Sequence, residues 1–140
     1  MGDLLKMVSL NFLGYRVLNF KYERKLDKNI KQGEKIQLEP RIGIHVSYNE
    51  TTKIATVKMS LDKLEKLPFD LKVMIEGKFE FMYSTDKIPE NYMDLLRSNA
   101  AAILFPYLRS TVSQLTLLSG EYSPLVLPTI DVRTLMNSKN

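Results

Sequence analysis

The stretch AAAILFPYLRSTVSQL, residues 100–115, decides how the second half of this 140-residue chain folds. Ala and Leu are strong helix formers, so the stretch predicts a helix, although Pro106 lies inside it. Its one charged residue is Arg109, so the helix has almost no charged face. A helix that is apolar around most of its circumference is buried on more than one side. We therefore expect a kinked helix, with a sheet on one side and another subunit on the other.

The limits of this helix follow from a proline and a glycine. Pro89 suits the first turn of a helix, and Gly120 suits its C-terminal end.

Pro106, inside the helix, removes one backbone hydrogen bond, at a cost of about 3 kcal/mol that packing must offset. As an alternative to a second subunit, the chain's own C-terminal segment would cover the second side of the helix.

The residues before about position 88 alternate between apolar and polar, which is typical of strands with one buried face. Alternation predicts a first strand within Leu10–Leu26, with Phe12, Leu18, Phe20 and Tyr22 on one side. It predicts three further strands, over Ile36–Tyr48, Ala55–Leu61 and Phe69–Phe81. Short connections favour an antiparallel order. The sequence thus predicts an α+β fold, as a single domain over residues 1–140.

The chain lacks the residue patterns of common enzymes. It contains no cysteine, which excludes disulfides and thiol catalysis. Its one histidine, His45, lies on the polar side of a predicted strand, with no second ligand spaced for a metal. The six glycines form no phosphate-binding loop. We therefore expect a protein with no catalytic residues, no metal and no cofactor.

Charge and hydropathy favour a cytoplasmic protein. The N-terminal residues show no secretory signal, and the apolar stretch of residues 98–108 is much shorter than the ~20 residues that cross a bilayer. The net charge is +4, and the densest basic region, residues 21–35, carries six Lys or Arg and three acidic residues. Basic regions of this kind leave a nucleic-acid-binding adaptor open as an alternative.

Two segments together, ILFPYLR at residues 103–109 and GEYSPLVLPTIDV at residues 120–132, resemble the SecB family of protein-export chaperones. In that family, a helix with this Phe-Pro-Tyr and Arg pattern leads to a loop with a glycine, an aromatic residue, a proline and a Leu-x-Leu pair. The resemblance implies a four-stranded antiparallel sheet backed by one long kinked helix and a short C-terminal helix. It also implies a homotetramer arranged as a dimer of dimers.

The function that the resemblance implies is that of an ATP-independent holdase. Such a protein binds unfolded or non-native polypeptides in a hydrophobic groove, here in the service of protein export. Family members are typically acidic and use that charge to dock a translocase motor, whereas this chain is basic and its end, RTLMNSKN, has no acidic tail. A dedicated chaperone for the antitoxin of a toxin–antitoxin pair, and an assembly protein without clients, stay open as alternatives.

The resemblance also assigns residues to two roles. The client-binding positions in and after the loop are Tyr122, Leu125, Val126, Leu127 and Ile130. The positions for oligomer or helix packing are Phe105, Pro106, Tyr107, Arg109 and Val112. For Leu125 and Leu127, attachment of the loop to the core is the competing interpretation.

Overall fold

A computed structural model describes residues 8–25, 41–62, 67–84 and 88–128. Its elements in chain order are β1 (Val8–Arg24), β2 (Arg41–Asn49), β3 (Ile54–Asp62), β4 (Phe69–Tyr83) and the helix α1 (Tyr92–Leu117). The four strands form one antiparallel sheet in the order β1-β4-β3-β2. The predicted α+β fold of four strands and a long helix is confirmed, while the predicted short C-terminal helix lies outside the described residues.

The core lies between α1 and one face of the sheet. On β3 and β4, every second residue points towards the helix and is buried, as the alternation predicts. These residues are Ala55, Val57, Met59, Leu61, Phe69, Leu71, Val73, Ile75, Phe79 and Phe81. In the reversal between β2 and β3, the Asn49 side chain accepts hydrogen bonds from the backbone N–H groups of Thr51 and Thr52, which is typical of a turn.

β1 differs from the simple alternation because it contains two bulges. It has 17 residues and pairs with the 15 residues of β4. The register shifts between Phe12 and Gly14, and again between Val17 and Asn19. Each bulge inserts one residue that has no partner on β4. Val17, rather than the predicted Leu18, therefore precedes Phe20 on the helix-facing side.

α1 begins at Tyr92, three residues later than predicted from Pro89. The side chain of Asn91 makes no capping hydrogen bond, so the start of the helix has no strong local signal. The helix is continuous through Pro106, and Gly120 follows it with a positive φ of 71°, as expected for a glycine stop. The buried residues of α1 are Leu96, Ala100, Ala101, Leu104, Phe105, Leu108, Val112 and Thr116.

Gly77 of β4 lies directly under Leu104 of the helix. A Cβ atom added to Gly77 would lie 2.7 Å from Cδ2 of Leu104, closer than real Cβ contacts. A side chain at residue 77 would therefore force the buried Leu104 side chain to move. The glycine thereby leaves room for Leu104 to pack on β4.

Candidate functional site

Residues 119–128, which we call the post-helix loop, carry most of the predicted client-binding positions. The loop begins with a turn at Gly120, whose positive φ favours glycine. The Ser119 hydroxyl accepts hydrogen bonds from the backbone N–H groups of Glu121 (3.2 Å) and Tyr122 (3.3 Å). These bonds fix the direction in which the chain leaves the helix.

Two helix hydroxyls then hold the loop against α1 at Leu125. The backbone N–H of Leu125 donates to the Thr116 hydroxyl at 2.7 Å, and the Ser113 hydroxyl donates to the Leu125 carbonyl at 2.8 Å. Thr116 itself is fully buried and donates to the carbonyl of Val112. Because buried backbone groups need partners, these bonds make the loop conformation stable without a strand partner.

An ion pair connects the start of the loop to the end of β1. The Arg24 guanidinium donates to both carboxylate oxygens of Glu121, at 2.8 and 3.0 Å. This hydrogen-bonded contact lowers the pKa of the Glu121 carboxyl below its usual 4.5. Both side chains are well exposed to water, so the pair contributes little free energy and is screened by salt.

Three aromatic rings lie beneath this ion pair. The rings of Tyr122 and Phe69 are 5.5 Å apart between centroids, and those of Phe69 and Tyr22 are 4.9 Å apart. The Tyr22 hydroxyl is buried and has no hydrogen-bond partner among the described residues. The rings therefore form an apolar support that holds Tyr122 on the sheet.

The predicted client-binding residues have different environments. Tyr122 and Leu125 are partly buried, and Val126 is 56% exposed. Leu127 is fully buried in the single chain, where its side chain attaches the loop to the core. Ile130 lies outside the described residues. Leu125 and Val126 thus offer apolar surface to another molecule without any rearrangement of the loop. The assignment of all five residues to client binding stays a prediction.

The residues predicted for helix or oligomer packing divide between the two sides of α1. Phe105 and Val112 point into the core, and Arg109 is partly buried. Pro106 is exposed. Tyr107 is also exposed, and its ring lies 4.4 Å from that of Tyr15 on β1. The exposed members lie on surface that a second subunit could cover.

A large apolar surface on β1 was missed by sequence reasoning. The β1 surface, as we call it, consists of Tyr15, Val17 and Phe20, all between 38% and 62% exposed. Leu13 and Leu18, the residues at the two bulges, are also exposed. Tyr15, Val17 and Phe20 pair with Gly77, Ile75 and Val73, which face α1. Tyr15 also contacts Tyr107 of the helix, yet all three side chains keep exposed apolar area. Because each bulge shifts the alternation of β1 by one residue, counting alternate residues in the sequence does not identify this surface. Gly14, with its φ of 130°, is the signal that could have indicated a bulge.

The side of α1 away from the sheet is polar or small rather than charged. Its exposed residues include Ala102, Pro106, Ser110 and Gln114. Small, uncharged side chains allow another element to approach the helix closely. The expectation that a second subunit covers this side of the helix stays a prediction.

The described residues include neither a candidate metal site nor a candidate membrane-spanning helix. They hold no group of three or more His, Cys, Asp or Glu side chains placed to bind a metal ion. Among the same ranges, no helix combines the length and the apolar character needed to cross a membrane. His45 lies exposed on β2, on the side of the sheet away from the helix.

The family model for the preprotein translocase subunit SecB matches residues 28–140. The chain belongs to the SecB family. SecB family chaperones are not enzymes, which agrees with the residues of the chain. A relative from Methanocaldococcus jannaschii, an uncharacterized protein, is 30% identical over an alignment of 135 residues that covers 91% of this SecB-family chain and 83% of the relative.

Solved structures show the same fold. A SecB-like chaperone of Mycobacterium tuberculosis, in complex with a ChAD peptide from the HigA1 antitoxin, superposes with a TM-score of 0.72 at 16% identity, over 92% of this chain and 95% of that one. A Streptococcus agalactiae protein of unknown function superposes with a TM-score of 0.50 at 12% identity, over 87% and 98%. The SecB-like fold is therefore shown by structure as well as by the family model.

Proposed function

We propose that this SecB-family protein is an ATP-independent holdase that binds unfolded or non-native polypeptides. The observation that carries the proposal is the post-helix loop, which exposes Val126 and part of Leu125 while hydroxyl groups of α1 hold its backbone. Apolar surface of this kind is costly in water and is covered when an apolar client segment binds. Binding of this kind needs no nucleotide, because the burial of apolar surface supplies its free energy.

The proposed client contacts are apolar rather than specific in sequence. Val126, Leu125 and the ring of Tyr122 lie close together along the loop and can pack against many aliphatic or aromatic side chains. Burial of apolar surface contributes roughly 25 cal/mol per Å², whichever apolar residue supplies it. Leu127 and Ile130 complete the proposed site, with Leu127 contributing through the position of the loop. A holdase with these contacts would select clients by exposed apolar segments.

We propose further that the whole chain, residues 1–140, forms one chaperone domain that assembles into a homotetramer. The β1 surface supports assembly, because Phe20 is 62% exposed and its neighbours Val17 and Tyr15 are also uncovered. Contiguous apolar patches on soluble proteins commonly mark interfaces. The uncharged outer side of α1 supports a second interface. Two distinct interfaces are what a dimer of dimers requires.

The biological setting of this activity has two candidates, both cytoplasmic. The first is protein export, in which the chaperone keeps a precursor unfolded and passes it to a translocase motor. The second is a dedicated chaperone for an antitoxin. It is favoured by the structural similarity to a SecB-like chaperone that is in complex with an antitoxin peptide. A broad range of clients favours the first candidate, and tight binding to a single antitoxin favours the second.

Light scattering from a denatured, aggregation-prone protein tests the holdase activity. The denatured protein is diluted into buffer without ATP, in the presence or absence of the chaperone. We expect scattering to fall as the chaperone approaches a stoichiometric ratio to the client. Unchanged scattering at an excess of chaperone would contradict a general holdase.

A further inference from the structure

The face of the sheet away from α1, which we call the outer face, carries a row of ionisable side chains across all four strands. The register places His45 on β2 opposite Lys58 on β3, Lys58 opposite Glu76 on β4, and Glu76 opposite Arg16 on β1. Adjacent strands are about 4.8 Å apart, so the row is about 14 Å long. These four residues are distant in sequence, and only the strand order brings them together.

The one acidic residue of this row is already neutralised. Glu76 is 5% exposed, and its Oε1 accepts from the Arg16 guanidinium at 2.9 Å. Lys78, which lies two residues further along the same strand, donates to the Thr56 hydroxyl at 2.7 Å. Within the described ranges, the exposed Lys58 and Lys78 make no ion pair.

A second cationic contact lies further along the same face. Lys21 on β1 stands directly opposite Lys72 on β4. Like charges in directly opposed positions destabilise a sheet. Lys21 is partly compensated by Glu23 at 3.2 Å, while Lys72 has no ion pair among the described residues. The acidic residues of this face lie mainly near its ends, so its middle keeps an excess of positive charge.

We propose that the outer face docks an acidic polypeptide segment, with Lys58, Lys78 and Lys72 as its main charged contacts. Carboxylates on such a segment would supply the negative charge that this part of the sheet lacks. Thr56 beside Lys78, and Ser60 and Gly43 in the next row after Lys58, are small, while Met74 separates Lys72 from that row. An extended chain can therefore approach β2 and β3 closely. This interface is additional to the proposed client site, which lies on the helix side of the sheet.

The composition of the outer face favours a polypeptide over single-stranded nucleic acid. Sheets that bind single strands stack the bases on aromatic side chains. No Phe, Tyr or Trp lies on the outer face of the described strands, because the aromatic residues of β1 and β4 point to the helix side. A face that carries positive charge but no aromatic rings is suited to binding carboxylate side chains rather than stacked bases.

Fluorescence anisotropy with labelled poly-L-glutamate at low salt tests the interface. We expect the native protein to bind the probe and to lose affinity as salt is added. The double variant Lys58→Gln, Lys78→Gln should bind about fivefold to tenfold more weakly, since each exposed charge pair contributes modestly. The matched control Lys58→Arg, Lys78→Arg keeps both charges and should bind within about twofold of the native protein.

Two further readouts make the result decisive. Suppression of client aggregation should be the same in both double variants, so that loss of the outer interface is distinguished from loss of the proposed holdase activity. In the unmodified protein, the NMR signals of His45, the one imidazole of the chain, should shift when poly-L-glutamate is added. This measurement tests the site even if a variant fails to fold.

The proposal would be overturned by an absence of poly-L-glutamate binding at low salt, by equal binding by the native protein and the glutamine variant, or by unchanged His45 signals on saturation. Tighter binding of oligothymidylate than of poly-L-glutamate through the same lysines would also overturn it, and would assign the outer face to nucleic acid.

Discussion

The β1 surface and the post-helix loop both expose apolar side chains, but their backbones are held in different ways. β1 is paired with β4 along its whole length, so Tyr15, Val17 and Phe20 project from a rigid strand. The post-helix loop has no strand partner and is held at Leu125 by two side-chain hydroxyls. A strand surface suits one fixed partner, whereas a loop that is held at a few points lets side chains such as Val126 adjust to many partners. This difference is why we assign assembly to β1 and client binding to the loop.

The largest expected effect is on assembly. The variant Phe20→Asp would place an unpaired charge at the most exposed part of the β1 surface. A buried Phe contributes about 1.5–3 kcal/mol and is used twice in a two-fold interface, so we expect the dissociation constant to rise about a hundredfold or more. Size-exclusion chromatography with light scattering would show a smaller mass.

The matched control for this variant is Val126→Asp, which adds the same charge to the post-helix loop. It should leave the mass unchanged while it weakens client capture. If Phe20→Asp had the native mass, the β1 surface would not be an assembly interface. If Val126→Asp dissociated the protein, the two surfaces would not have separate roles.

A smaller effect is expected where the loop is attached to the helix. The variant Thr116→Val keeps the side-chain shape but removes the hydroxyl that accepts from the Leu125 N–H. An unsatisfied buried donor costs about 1–3 kcal/mol, so the free energy of unfolding should fall by this amount. Urea unfolding at fixed protein concentration measures the change.

Thr111→Val is the matched control for Thr116→Val. The Thr111 hydroxyl donates only to the Tyr107 carbonyl one turn earlier in the same helix. Its removal should change the free energy of unfolding by no more than about 0.5 kcal/mol. Similar losses in the two variants would show that the Leu125 hydrogen bond does not stabilise the loop.

The smallest effect is a pH dependence of the loop. Arg24 lowers the pKa of Glu121 below its usual 4.5, so the pair stabilises the loop fully above pH 4.5. This contribution is lost as the pH falls below that value and the carboxylate becomes protonated. We expect the NMR signals of Tyr122 to report the change, with a smaller amplitude at high salt. Glu121→Gln should abolish that pH dependence, and its persistence in this variant would assign it to another group.

The sequence predicts some elements of this chain well because the physical signal is local. Alternation identifies β3 and β4, where the helix-facing apolar residues are buried, and Gly120 identifies the helix end. In β1, the same alternation predicts the wrong helix-facing residues after each of the two bulges, because each bulge shifts the pattern by one residue. The start of α1 is also missed, since Asn91 makes no capping bond and Pro89 gives a competing signal.

Candidate sites are harder to predict because they depend on tertiary placement. The loop positions Tyr122, Leu125 and Val126 come from a family resemblance, and burial distinguishes Val126 from Leu127 only once the loop is folded. The row from His45 to Arg16 needs the strand order and the register of three pairings. No pattern within a single segment contains that information.

Direct binding of a denatured, fluorescently labelled protein to the native chain and to Val126→Ser tests the proposed function most directly. Native protein should bind the client without ATP, and Val126→Ser should bind it about tenfold more weakly at unchanged oligomeric mass, since an apolar contact is lost. Leu118→Ser is the control, because Leu118 is 80% exposed but lies outside the post-helix loop. Equal client affinity of the native protein and Val126→Ser, or an equal loss in both variants, would contradict client binding by the loop.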